Sequence, residues 1–302
     1  MTNIPIFLSS DNNYAPFVAT TMASILDNTQ SFIEFYILDG GITKDNQKKI
    51  CELKKQFNNF SIEFLKIDYD KYFKDFGTTG YITKAMYSRF LIPDLKPEID
   101  RALYSDVDVI FMDDAKKMYD EPLEGFIIGA VSVGENIQST VYASQMKNLE
   151  ISNQHKYFAS GNLLIDCKKW RENNITSKLF EITYKYNEKL RTHDMDVLNK
   201  CFDRNYKILS PKYCCFNQNY KMTIDLKEAI VVRHFNGKIK PWDISSDIDT
   251  SVLKDKDEFW KYARMTSFYS DLIERLKTID QKEIIRKEQI YNMIAKRIKG
   301  IK

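Results

Sequence analysis

The chain has 302 residues, 43% of them hydrophobic, enough to bury one large core or two smaller ones. Its 45 basic and 42 acidic residues leave a net charge of +3, so no chain-wide basic excess argues for a nucleic-acid partner. No apolar stretch approaches the ~20 residues of a membrane span, and MTNIPIFLSS lacks the basic start of a signal peptide, so we expect a cytoplasmic protein or one on the cytoplasmic face of a membrane.

In chain order, the apolar run Ile4 to Leu8 reads as a buried strand ending in the polar turn Ser9 to Asn13. Tyr14 to Leu26 has helical spacing, Ile33 to Leu38 reads as a strand, Lys44 to Phe57 as a helix and Ser61 to Ile67 as a third strand. This alternation predicts parallel βαβ units. A short helix is predicted over Thr83 to Leu91 and one strand over Arg101 to Met112. Gly125 to Val133 and Phe158 to Ile165 follow as strands. Helices are predicted at Ile175 to Leu190 and Asp194 to Phe202, and a last strand at Ala229 to Phe235. From residue 266 onward the pattern is helical. We therefore divide the chain into a domain at 1–265 and a basic amphipathic helical segment at 266–302. Within 289–302, Lys296, Arg297, Lys299 and Lys302 alternate with Ile290, Met293, Ile294 and Ile298, with no acid among them, which suits an anionic membrane surface.

Cys51, Cys167, Cys201, Cys214 and Cys215 are odd in number and form no C-x-x-C, so packed reduced thiols are expected. Two segments carry candidate chemistry. In Leu103-Tyr104-Ser105-Asp106-Val107-Asp108-Val109-Ile110-Phe111 two carboxylates stand two apart within an apolar run. Residues i and i+2 of a strand share a side, so the pair would converge on one point. Burying two like charges is costly unless a cation neutralises them, and oxygen ligands suit Mn²⁺ or Mg²⁺. Haloacid-dehalogenase-type phosphatases also use D-x-D after a strand, but near the start of their domain, and here three strands come first. In Val232 to Trp242 a strand delivers His234, then Gly237, then lysines able to reach a phosphate.

Taken together, SSDNNYA, YSRFLIPDL, LYSDVDVIF, FASGNLLIDCKKW, HDMDVLN and HFNGKIKPW, in this order, resemble glycosyltransferase family 8, the bacterial lipopolysaccharide galactosyl- and glucosyltransferases and glycogenin-like enzymes, over roughly residues 4 to 245. The resemblance implies an α/β fold of Rossmann-like GT-A type, a mixed sheet flanked by helices. It implies a retaining, Mn²⁺-dependent transferase (Mg²⁺ is the alternative ion) that moves a hexose-type sugar from a UDP-sugar to a glycan or lipid-linked acceptor, in bacterial cell-surface polysaccharide synthesis. Asp11, Asn13 and Tyr14 would hold uracil and ribose, and Arg89 the sugar or its phosphate. Asp106, Asp108 and His234 would bind the ion, Gly237 and Lys240 the diphosphate. Ser105, Val107 and Gly161 would line the same site, and Asp194 would face the transferred sugar as candidate nucleophile.

The chain departs from the family pattern at Val133, Ala159 and Met195, where the family usually carries an acid, Asn and Gln. Those positions belong to the donor-sugar pocket of the resembled enzymes. The departures suit a deoxy or N-acetylated sugar. They also support a second reading, a nucleotide-sugar-binding partner or scaffold with impaired catalysis.

Overall fold

Ile4, Ile6, Phe7 and Leu8 of β1 (Asn3–Ser10) have no solvent exposure. In the computed structural model, which describes residues 3–78, 83–216, 229–237, 239–248 and 256–298, this strand lies inside a seven-stranded sheet. The other members are β2 (Phe32–Asp39), β3 (Phe60–Lys66), β4 (Arg101–Ser105), β6 (Ile128–Ser132), β7 (Phe158–Asp166) and β8 (Lys207–Ile208), in the order β3-β2-β1-β4-β7-β6-β8. β1, β2, β3 and β4 run parallel, β7 runs antiparallel to both β4 and β6, and β8 is parallel to β6. The architecture is thus a mixed α/β sheet flanked by helices. The helical segments predicted at 14–26, 175–190 and 194–202 form as Ala15–Asp27, Ile175–Tyr186 and Asp194–Cys201.

One element differs from expectation in a way that matters for the site. Arg101 to Met112 is two strands, not one. β4 ends at Ser105 and β5 (Val109–Phe111) joins a second sheet of three strands, β5-β10-β9, with β9 at Cys215–Phe216 and β10 at Val232–His234. Asp106 and Asp108 therefore sit in the turn between two sheets, and same-side alternation along a strand does not bring them together. The turn itself does. Asp106 donates its amide to Gly161 O at 2.7 Å, and Asp108 O accepts from the amide of Phe235 at 2.9 Å. The buried Thr21 hydroxyl is shared between the carbonyls of Val107 (3.2 Å) and Val109 (3.0 Å), which helps hold the turn.

This topology collects residues at one edge. Ligands in α/β sheets bind beyond the carboxyl ends of parallel strands, here β1 and β4. Because β7 is antiparallel to β4, its early residues lie beside that same end, with Asn162 opposite Ser105. Antiparallel pairing of β10 with β5 sets His234 opposite Val109. The loop after β10 is pinned by Trp242, which stacks on Phe17 with ring centroids 3.6 Å apart and meets Tyr14 edge-on at 6.3 Å. Such aromatic pairs contribute about 1 kcal/mol each beyond burial.

Beyond residue 255, the helices Lys256–Ala263 and Tyr269–Lys277 pack on the domain through the buried Phe259, Trp260 and Leu272. The helix Gln281–Ile298 follows. Lys238 and residues 299–302 of the basic segment lie outside the described residues. No helix among the described residues is long and apolar enough to cross a membrane.

Candidate active site

A cleft of about 410 Å³ opens at the edge just described. It gathers Asp11, Tyr14, Arg89, Asp106, Val107, Asp108, Asp194, His234, Gly237 and Lys240 from five separate stretches of sequence. Gly161 lines a smaller chamber that adjoins it. Two residues predicted for the site are not on its wall. Ser105 is buried at the end of β4 and donates its hydroxyl to Asn162 Oδ1 at 2.9 Å, while Asn13 is exposed in the middle of the short 3₁₀ turn Asn12–Tyr14. That turn is capped by Asp11, whose Oδ1 accepts the amides of Asn13 (2.9 Å) and Tyr14 (3.2 Å). The cap fixes the polar turn that opens the cleft.

At the floor, one ligand atom each from Asp106, Asp108 and His234 lies within 4.8 Å of the others. His234 Nε2 is 3.2 Å from Asp108 Oδ1, and Lys240 Nζ is 2.7 Å from Asp108 Oδ2. Burial alone would raise the Asp108 pKa, but Lys240 and His234 outweigh it and hold the carboxyl well below the usual range. Burial opposes the charged form of His234, yet Asp108, aided by Cys214, pushes its pKa up to about 10. Cys214 Sγ stands 3.5 Å from His234 Nδ1 and accepts from Asn162 Nδ2 at 3.5 Å, so the imidazole is braced from behind. Lys240 is held a second time by the carbonyl of Phe235, at 2.8 Å.

The corner fits a divalent ion. Two carboxylates and an imidazole are a donor set for a divalent cation. Gly161 shows how tightly the chain is drawn around the same spot. A Cβ there would lie 2.5 Å from His234 Cε1 and 2.7 Å from Asp106 Oδ2.

Arg89 joins the corner to the far wall. It reaches Asp106 Oδ1 at 2.9 Å, Asp194 Oδ2 at 3.2 Å and the carbonyl of Ser160 at 2.6 Å. Burial disfavours its charge, but Asp106 and Asp194 more than compensate and raise its pKa. Tyr104 donates to Asp106 Oδ1 at 2.7 Å. Asp194, 5% exposed, has its pKa pushed up to about 6 by burial, with Arg89 acting against that rise. Ser160 donates to Asp194 Oδ2 at 3.0 Å.

Sequence reasoning missed the supports of this wall. Asp196 accepts from the amides of Arg191 (2.7 Å) and Thr192 (2.9 Å), from Gln145 Nε2 (2.8 Å) and from the hydroxyl of Tyr157. Asn199 ties the helix Asp194–Cys201 to β7 by accepting from the amide of Phe158 (2.8 Å) and donating to its carbonyl (2.9 Å). The one sequence signal for these roles was polar side chains at buried positions of an amphipathic helix.

Comparison with known proteins agrees with this architecture. The family model described as Glycosyl transferase family 8 matches residues 5–246. General stress protein A of Bacillus subtilis (strain 168) is 30% identical over 281 residues, covering 86% of this chain and 92% of that protein. Lipopolysaccharide 1,2-glucosyltransferase of Escherichia coli (strain K12) is 29% identical over 245 residues, covering 77% and 70% respectively. Among solved structures, galactosyltransferase LgtC in complex with donor and acceptor sugar analogs superposes with a TM-score of 0.76 at 22% identity, covering 87% of this chain and 96% of that one. The shared fold is the GT-A type.

Proposed function

Because the chain belongs to glycosyl transferase family 8 and is a glycosyltransferase, we propose that it moves a hexose-type sugar from a UDP-sugar, with Mn²⁺, to a glycan or lipid-linked acceptor of bacterial cell-surface polysaccharide, retaining the anomeric configuration. The observation that carries this reading is the convergence of Asp106, Asp108 and His234 within 4.8 Å on the cleft floor, beside Lys240. Transfer makes a nucleoside diphosphate leave with growing negative charge, and an ion held by these three residues would neutralise it. Lys240 supplies a second positive charge at the same point. Asp11 and Tyr14, at the end of β1, suit the base and ribose. Arg89 holds Asp194 at the opposite wall, where a carboxylate would meet the transferred sugar. The name of the Escherichia coli relative favours a lipopolysaccharide-type acceptor. Ile290 and Met293, 43% and 57% exposed on the last helix, support contact with a membrane surface.

The test is UDP release from a panel of UDP-sugars, with Mn²⁺ and with chelator, on wild type and Asp108→Asn. Manganese-dependent release from one donor, lost in the variant, is expected. Release indifferent to chelator would reject the ion. Absence of both release and UDP binding would reject the donor class.

A further inference from the structure

Behind the floor the cleft opens into a side chamber of about 170 Å³. It shares Asp106, Tyr142, Ser160, Met195, His234 and Asn236 with the main cleft. The walls it adds are Val133, Ile137, Ala159, Gly161 and Phe216. Each added wall is an apolar side chain or a glycine. Val133 and Ala159, only 4% and 3% exposed, come from one end of the β6–β7 pair, where the amide of Val133 donates to Tyr157 O at 2.9 Å. The polar side chains all belong to the mouth. Gly161 keeps the passage open, since a Cβ there would collide with His234 and Asp106.

A group that fills this space must carry a polar neck and an apolar end. A hydroxyl pushed into it would lose water and meet carbon walls without a partner. A deoxy sugar would leave the space empty and forfeit its contacts. An acylamino group meets both demands, with its amide at the mouth and its methyl against Val133, Ala159 and Phe216. The chamber borders Asp106 and His234, the corner assigned above to the diphosphate. A substituent that enters it therefore stands close to the glycosyl phosphate, on the carbon next to the anomeric carbon. We propose that the chamber receives the acyl group of a 2-acylamido sugar, so that the donor is a nucleotide-linked N-acetylhexosamine. This rests on the reading of the cleft as a UDP-sugar site.

Binding tests it without turnover. A fluorescent UDP analogue is displaced, in the presence of Mn²⁺, by UDP-N-acetylglucosamine, UDP-N-acetylgalactosamine, UDP-glucose and UDP-galactose. One acetamido donor should bind at least about tenfold tighter than its hydroxyl counterpart, the advantage one apolar group gains in a fitted pocket. Ala159→Leu, which narrows the chamber, should bring that ratio toward one. Equal or tighter binding of the hydroxyl donors, with UDP itself bound, overturns this inference and leaves the donor reading standing. Failure of UDP to bind overturns both. An unchanged ratio in folded Ala159→Leu also overturns the chamber's role, and the wild-type comparison decides the matter should that variant not fold.

Discussion

Gly161 lies so close to His234 that a methyl group on its Cα would come within 2.5 Å of the imidazole. Neither partner can yield freely. The Gly161 carbonyl holds the amide of Asp106 at 2.7 Å, and the imidazole is braced by Cys214 at 3.5 Å and Asp108 at 3.2 Å. Gly161→Ala should therefore fold but spread the ligand corner. We expect manganese-dependent UDP affinity to fall by roughly tenfold or more, the usual scale when groups that orient ligands are disturbed. Calorimetric titration of UDP with and without Mn²⁺ reads this directly, and unchanged affinity would remove the corner from the binding site.

Asp196 has no solvent exposure, and both its oxygens accept from donors only: Oδ2 from three N–H groups at 2.7–2.9 Å, Oδ1 from the hydroxyls of Thr192 (2.6 Å) and Tyr157. The turn it clamps includes His193 at φ 49 and leads straight into Asp194. Asp196→Asn would turn an amide NH₂ against one set of donors, at a cost on the order of 3 kcal/mol. For a chain of this size that lowers the melting temperature by roughly 5 °C. Thermal denaturation checks the figure. A melt identical to wild type would show that the turn holds without the carboxylate.

Asp194 gives a pH signature. Its folded pKa is raised from the ordinary 3.8 to about 6 by burial. The protonated form is thus favoured in the fold. The associated stability is fully present below pH 4 and is lost as pH rises through 6, a difference on the order of 3 kcal/mol. Asp194→Asn removes this titration. In chelator, the melting temperature of the variant minus that of wild type should rise between pH 4 and about pH 6.5 and then level off. A flat difference would mean that Arg89, 3.2 Å away, keeps the carboxylate ionised throughout.

Much of this was legible in the residues and some was not, for physical reasons. Long periodic segments such as Ala15–Asp27 declare themselves because burial of one face repeats every turn. The two carboxylates were found by their apolar surroundings, yet their geometry was misread. Nothing local in SDVDV says that the ladder of one sheet stops at Ser105 and another starts at Val109. That break is set by the pairing of β10 with β5, more than a hundred residues away in sequence. The family resemblance assigns Asn13 to the site, but its side chain is exposed and its amide is engaged by the Asp11 cap. Asp196 and Asn199 were invisible as supports because their partners, Tyr157 and Phe158, stand at the head of β7, 39 and 41 residues away in sequence.

The last helix makes a separable prediction. It is tied down at its start, where Gln281 accepts from the amide of Ser245 at 2.9 Å and donates to Asp243 O at 3.1 Å. The preceding helix is anchored by Leu272, 2% exposed, and by the Arg275–Asp243 pair at 3.0 Å. A cut after residue 265 would strip these contacts from the domain, so loss of binding there would say nothing about a membrane. A cut after residue 285 leaves them in place and still removes Ile290 and Met293 together with the basic residues beyond them. Each Lys or Arg near an anionic surface contributes about 1 kcal/mol, screened by salt. The shortened chain should lose sedimentation with anionic vesicles while keeping the donor release and melting temperature of the full chain. Binding by the full chain should weaken as salt is raised. Vesicle binding that survives the cut would transfer the membrane contact to another face, and salt-independent binding would exclude the basic residues as its source.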